Sequence, residues 1–165
     1  FSKVSQMTRD MVSALYETVW AVNPENDNLE ALVTYLCQMS NQYCTQAQLR
    51  CRLEIPETPP GVPLRSQVRH NLMMAVKEAI HNVIKHARAN EVRLRIVFEA
   101  SVLSISIHDD GCGFDPATCP AGYGLGNLKR RLQASDGSFT IESRLGAGTT
   151  VSLRLPVAAA AARRP

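Results

Sequence analysis

No apolar run in this 165-residue sequence approaches the roughly 20 residues a helix needs to span a bilayer, so no membrane-crossing segment is expected and direct membrane contact is not indicated. The chain opens FSKVSQ, with neither an initiator Met nor a signal-peptide apolar core, as expected of a piece of a longer protein. CxxC pairs are missing as well. Five cysteines stand at 37, 44, 51, 112 and 119, an odd number that argues against a disulfide framework and against the usual zinc spacings, so a reducing compartment is the default. Cys37, Cys44 and Cys51 recur every seven residues and are read as small buried apolar side chains. Also absent is a block of like charge. Eighteen Lys and Arg against 15 Asp and Glu leave a net charge of +3 spread along the chain, so nothing demands a nucleic acid or an anionic membrane, although a small polyanionic ligand stays open. GxxxxGK[ST] does not occur, which excludes a P-loop.

What is present fits one globular domain with a helical appendage: 45% of residues are hydrophobic and 20% charged. Val4, Met7, Met11, Leu15 and Val19 form one apolar helical stripe without a partner inside its own segment. Asn23-Pro24 interrupts that pattern, and Asp27 or Asn28 can cap a second helix over about 29–42. Residues 49–55 alternate like a short strand before the connection PETPPGVP, whose prolines exclude a helix or a central strand. A long helix is predicted from 67 to about 89. Two alternating runs at 92–98 and 102–108 read as a hairpin, a glycine-rich segment covers 109–126, a helix begins near 125, and SFTIES and TTVSLRL close the domain around LGAG. The class is α+β, a mostly antiparallel sheet with helices on one face. The tail AAAAARRP lies outside the fold.

On a wheel of 100° per residue, Leu72, Val76, Ile80, Val83, Ile84 and Ala87 share one side of the long helix, while Glu78, Asn82, Lys85 and His86 share the other. A solvated polar face is the ordinary reading of such a pattern. The alternative is that Glu78 and Asn82 supply the hard oxygens that Mg²⁺ accepts, with Lys85 and His86 meeting phosphates. That requires a nucleobase pocket. In DDGCGFD, residues 109–115, an aspartate ends an apolar strand and meets glycines that let a flat ligand approach the backbone. A carboxylate accepts from the amine of adenine and rejects the carbonyl of guanine, because an unpaired buried acceptor costs about 1–3 kcal/mol. An acidic β-turn is the plainer reading. GYGLGN, residues 122–127, leads into a helix carrying Lys129, Arg130 and Arg131, and free N–H groups at a helix start favour phosphate.

Taken in order, these segments resemble the ATP-binding catalytic domain of two-component sensor histidine kinases, within the GHKL ATPase superfamily. EAIHNVIKHA at 78–87 resembles its N box, DDGCGFD its first glycine box, GYGLGN its second and GAGTT at 146–150 its last; the likeness covers about 29–156. The ExxxNxxKHA form with GxGLxN resembles the subfamily paired with helix-turn-helix response regulators. The segment ETVWAVNPENDNLEALVTYL is similar to the join between dimerisation helices and ATPase domain there.

The resemblance implies a two-layer α/β sandwich with MgATP between sheet and helices, under a mobile lid over about 114–126. It implies that Asp109 binds the adenine amine, that Gly111 and Gly113 shape the pocket, and that Asp110 is a variable position. Asn82 then coordinates Mg²⁺, Glu78 assists as a second metal-shell or base-like group, and Lys85 and His86 approach the phosphates. Gly122, Gly124, Leu125 and Gly126 belong to the closing lid, with Thr149 or Thr150 near the same cavity. The implied reaction passes the γ-phosphoryl group of ATP to a histidine on a dimerisation helix, then to an aspartate of a response-regulator receiver domain. None of His70, His81, His86 or His108 stands in an R-x-x-H-D context, so the acceptor is expected upstream of Phe1, residues 1–22 being the end of a dimerisation hairpin and 157–165 a disordered tail. The expected assembly is a homodimer of the parent protein, cytoplasmic, with anchoring of the parent in the bacterial inner membrane left open. Two rivals are a GHKL module that binds nucleotide without histidine kinase activity, including a protein-serine kinase, and a non-catalytic interaction or DNA-binding domain suggested by a pI of about 8.7.

Overall fold

The computed structural model describes residues 17–57, 61–118 and 136–157, together with residues 11, 12, 15, 126, 129, 130, 132 and 133. Residues 17–22 are helical and run into a single 3₁₀ turn, Pro24–Asn26, opened by the Asn23 side chain, which accepts the Glu25 N–H at 3.1 Å. Helix α1 (Leu29–Gln46) follows at once. Of its two candidate caps, Asn28 takes the role, accepting the Ala31 N–H at 2.8 Å, while Asp27 instead meets Arg69 at 2.9 Å. Leu29, Leu32, Val33, Leu36 and Met39 bury one stripe of α1. The helix stops where Gln48 turns left-handed (φ 58°) and the Leu49 N–H closes on the Cys44 carbonyl at 2.8 Å.

Strand β1 (Arg50–Glu54) pairs in parallel with β2 (Glu91–Glu99), the crossover being helix α2 (Ser66–Asn82). β2 and β3 (Val102–Asp109) form the predicted hairpin around Ala100 and Ser101, both left-handed at φ 49° and 61°. β4 (Ser138–Ser143) and β5 (Thr149–Pro156) complete a five-stranded sheet in the order β1-β2-β3-β5-β4, antiparallel except at β1. This is the expected mixed, mostly antiparallel α/β sandwich.

The core lies between the sheet and α1 with α2. Leu94, Ile105, Ile107 and Leu153 face Leu36, Leu72, Val76 and Ile80 in one buried cluster, and full burial of each such side chain contributes about 1.5–3 kcal/mol. Cys44 is buried in it, Cys37 and Cys51 pack against it, and all three are free thiols. Val157, assigned to the tail by the sequence, is 5% exposed and donates its N–H to the Ser101 carbonyl at 2.8 Å.

The long helix corrects the sequence reading. α-Helical geometry ends at Asn82 and gives way to a π-helical turn over Val83–Ala87, closed by Arg88 at φ 51°. Bonds in a π turn reach one residue further back, so a 100° wheel ceases to apply. Ile84, expected on the apolar side, is 38% exposed for that reason.

One buried residue of α2 is charged. Arg69 has no exposed surface; its guanidinium donates to the carbonyls of Trp20, Ala21 and Asn23 at 2.8, 2.6 and 3.3 Å, and its planar group lies 4.6 Å from the Trp20 ring. It ties residues 20–27 to α2. Among the described residues no helix is long and apolar enough to cross a membrane.

Candidate functional site

Inward positions of β3 read Leu103, Ile105, Ile107 and then Asp109, so the last place on an apolar strand face is held by a carboxylate that is 2% exposed. Burial pushes its carboxyl above the ordinary carboxylate range, against the N–H groups of Gly111 and Thr149, which favour the ionised form. The Gly111 N–H lies 2.9 Å from Oδ1. A buried carboxylate held in this way is suited to accept from a ligand amine.

The glycines around it let backbone segments pack where a side chain could not stand. A Cβ on Gly111 would run into the backbone of Ala87, and one on Gly148, which sits at φ 74°, would run into the Asp109 carbonyl. Gly113 has φ 59° and closes against the Arg144 backbone. Ser143 knits these turns together: Oγ accepts the Phe114 N–H at 2.9 Å, donates to the Gly148 carbonyl at 3.2 Å and lies 2.9 Å from the Thr149 hydroxyl. Thr149 pairs with Asp109 across β5 and β3, on the helix-covered side of the sheet. Thr150 pairs with His108 on the other side, its hydroxyl 3.0 Å from Nδ1.

The loop after Asp109 is seated on the end of the α2 segment. The Cys112 N–H donates to the Ala87 carbonyl at 2.7 Å, and its thiol approaches the His86 carbonyl at 3.5 Å. Glu78 and Asn82 lie one turn apart on α2, both half-buried, and neither side chain makes a hydrogen bond or ion pair to another described residue. Lys85 and His86 are exposed on the π turn beyond them. The structure thus seats Gly111 and Cys112 against the end of the segment bearing Glu78, Asn82, Lys85 and His86, while Gly113 and the turn at 143–149 pack on the same loop and Gly148 on Asp109.

Glu78 and Asn82 offer hard oxygens that are not held in hydrogen bonds or ion pairs with other described residues, a donor set that fits Mg²⁺ with its remaining positions filled by water and phosphate. No group of three or more His, Cys, Asp or Glu able to hold a metal occurs among the described residues, so a site made of protein ligands alone is not present among them. Gly122, Gly124 and Leu125, and with them most of the expected lid, lie outside the described residues. Gly126 is exposed, and a Cβ there would meet nothing within 4 Å. A surface recess of about 370 Å³ between Trp20, Tyr35, Asn28 and Gln38 contains none of these residues.

Three contributors escaped the sequence reading. Gly148 lets its backbone meet that of Asp109, a demand the GAGTT pattern alone does not specify; Ser143 carries no signal at the end of an alternating strand. Asp110, read as a variable position, accepts two backbone N–H groups from residues 90 and 91.

The chain belongs to the family of histidine kinase-, DNA gyrase B- and HSP90-like ATPases, whose model matches residues 67–159. Within it, the chain is 31% identical over 125 residues to the nitrate/nitrite sensor protein NarQ of Escherichia coli (strain K12), covering 74% of this chain and 21% of NarQ. It is 34% identical over 103 residues to an uncharacterized sensor-like histidine kinase of Chloroflexus aurantiacus, covering 58% of this chain and 17% of that protein. The chain therefore spans only about a fifth of the length of these curated relatives. Its fold is similar to the histidine kinase domain of a blue-light activated histidine kinase from Erythrobacter litoralis, with a TM-score of 0.65 at 18% identity over 79% of this chain and 64% of that one. The Acinetobacter baumannii histidine kinase AdeS gives 0.62 at 16% identity over 95% and 83%. The chain is a histidine-kinase-like ATPase domain.

Proposed function

We propose that this domain binds MgATP and presents its γ-phosphoryl group to a histidine on a dimerisation helix of the parent protein, for relay to an aspartate on a response-regulator receiver domain. The observation that carries the reading is the buried Asp109 carboxylate, at the end of an apolar strand, with Gly111 pressed against the end of the segment that bears Asn82. Asp109 takes the adenine amine. Asn82, with Glu78, holds the magnesium ion, which when bound neutralises charge on the phosphates; Lys85 and His86 face the phosphate oxygens. Gly122, Gly124, Leu125 and Gly126 are assigned to the cover over them, and Thr149, which shares the helix-covered face with Asp109, to the cavity wall, whereas Thr150 faces the other side of the sheet with His108.

In the transfer, the imidazole nitrogen of the acceptor forms the new N–P bond as the bond to the ADP oxygen breaks. The domain's part is to position the reactants and balance charge. The acceptor is not one of the chain's own histidines on this reading: His70 and His81 lie on α2, His86 on the π turn and His108 on β3, all within the ATPase fold. Residues 1–22 are assigned to a dimerisation hairpin and 29–156 to the ATPase domain. Met11, Leu15, Val19 and Val22, each between 58% and 67% exposed, support an apolar helix face that a second subunit covers. A helix-turn-helix response regulator, and a cytoplasmic place for the domain, complete the proposal.

The test is titration of wild type, Asp109→Asn and Asn82→Ala with MgATP. Both variants are expected to lose affinity at least tenfold or so, since each removes a charged or metal-held contact. Equal binding by wild type and Asp109→Asn would sink the site assignment. Acid-labile phosphorylation after the parent's preceding helix is restored tests the kinase step, and its absence with ATP binding intact would favour a nucleotide-binding module without kinase activity.

A further inference from the structure

The chain must reverse between the π turn and β2, and it does so at Arg88, a non-glycine residue in left-handed geometry (φ 51°). The amides of residues 90 and 91 point at one atom. Oδ1 of Asp110 accepts the Asn90 N–H at 2.7 Å and the Glu91 N–H at 2.9 Å, and the Asp110 N–H returns to the Glu91 carbonyl at 3.4 Å. On the other side of the same loop, the Cys112 N–H holds the Ala87 carbonyl at 2.7 Å, and Gly111 leaves room for that approach because a Cβ would strike Ala87. Residues 110–112 therefore grip both ends of the reversal, at 87 and at 90–91.

We infer that Asp110 is a positioning residue for nucleotide binding: its double clamp on residues 90–91 fixes the end of the α2 segment, with Lys85 and His86, relative to the adenine-facing Asp109. The inference rests on the nucleotide reading of the site. Asp110 itself is exposed, and its partners are backbone amides, so it acts through the backbone. Its two hydrogen bonds are charge-assisted, the stronger class. Removing the clamp leaves Asp109 in place on β3 while freeing the phosphate-facing end, so the two ends of the nucleotide should be affected unequally. A residue that merely stabilised the fold would affect them alike.

The experiment titrates wild type, Asp110→Ala and Asp110→Asn with MgATP and, separately, with adenosine, which reports the base end alone. Asp110→Ala is expected to weaken MgATP about tenfold and adenosine less than about twofold. Asp110→Asn keeps an oxygen that can accept the same two N–H groups and should return MgATP affinity to within about threefold of wild type. Equal losses for both ligands, or no loss for either, would overturn the inference. If Asp110→Ala does not fold, amide hydrogen exchange decides: the Asn90 and Glu91 amides should be protected in wild type and in Asp110→Asn, and open-chain exchange rates in wild type overturn it. Asp109→Asn separates this from the underlying reading, because unchanged adenosine affinity in that variant removes the base pocket itself, whatever Asp110 does.

Discussion

Glu17 and Lys77, 60 positions apart in the chain, meet at 2.6 Å with side chains only 11% and 21% exposed, and the Tyr43 hydroxyl donates to the same Glu17 carboxylate at 3.2 Å. The helical residues 17–22 thereby touch α2 one position before Glu78. Lys77→Met leaves Glu17 shielded from water without its cation and is expected to cost about 1–3 kcal/mol, or about 3–10 °C in melting temperature. Changing both residues to apolar ones should recover part of that loss. Thermal denaturation of the two single variants and the double variant checks this, and strictly additive losses would contradict the pair.

Arg69 leads to a sharper expectation. A lysine cannot reach three carbonyls and the Asp27 carboxylate from one planar fork. Arg69→Lys should therefore be nearly as damaging as Arg69→Ala, with each losing about 3–5 kcal/mol in urea denaturation. A mild Arg69→Lys variant would mean that charge alone matters there.

The two adjacent aspartates should respond to pH with opposite signs. Burial raises the Asp109 carboxyl above the ordinary value of 3.8, so the folded state holds its proton more tightly than the unfolded one, and stability falls as pH rises from there through the raised value. The Glu91 N–H, assisted by that of Asn90, lowers the Asp110 carboxyl, so its contribution is present above 3.8 and is lost as pH falls through the depressed value. Relative to wild type, Asp109→Asn should gain stability toward neutral pH, whereas Asp110→Asn should lose it. Urea midpoints measured between about pH 2.5 and 7 check both slopes.

Glycine substitutions should separate space from sequence pattern. Gly148→Ala combines a left-handed backbone at φ 74° with a collision against the Asp109 carbonyl and is expected to cost more than about 2 kcal/mol and to abolish nucleotide binding. Gly126→Ala meets nothing within 4 Å and should leave stability within about 0.5 kcal/mol of wild type. Similar melting temperatures for the two variants would contradict this.

Much of the architecture was legible because its elements are strongly periodic: β2, β3, β4 and β5 lie where the alternation places them, and the carboxylate breaking the apolar face of β3 is visible as Asp109 in the sequence. The π turn was not, since apolar spacing continues through Val83 and Ala87 while the hydrogen-bond ladder changes beneath it. Nothing in the sequence around Arg69 signals its burial, because the three carbonyls it meets lie 46 to 49 positions away. Asp110 and the amides of residues 90 and 91 are 20 and 19 positions apart, and only the pairing of β2 with β3 brings them together. Local pattern finds elements and buried carboxylates; contacts that join separate elements come from topology.

The Arg69 guanidinium has a mechanical consequence. Three backbone oxygens within four residues of the helix end close on a single planar cation that is itself rooted in α2, so bending the chain at residues 20–23 requires several short charge-assisted bonds to break together. The joint resembles a lever fixed at its fulcrum: torque applied along residues 17–22 is delivered to α2, the helix that carries Glu78 and Asn82, before it can be spent in the connecting loop.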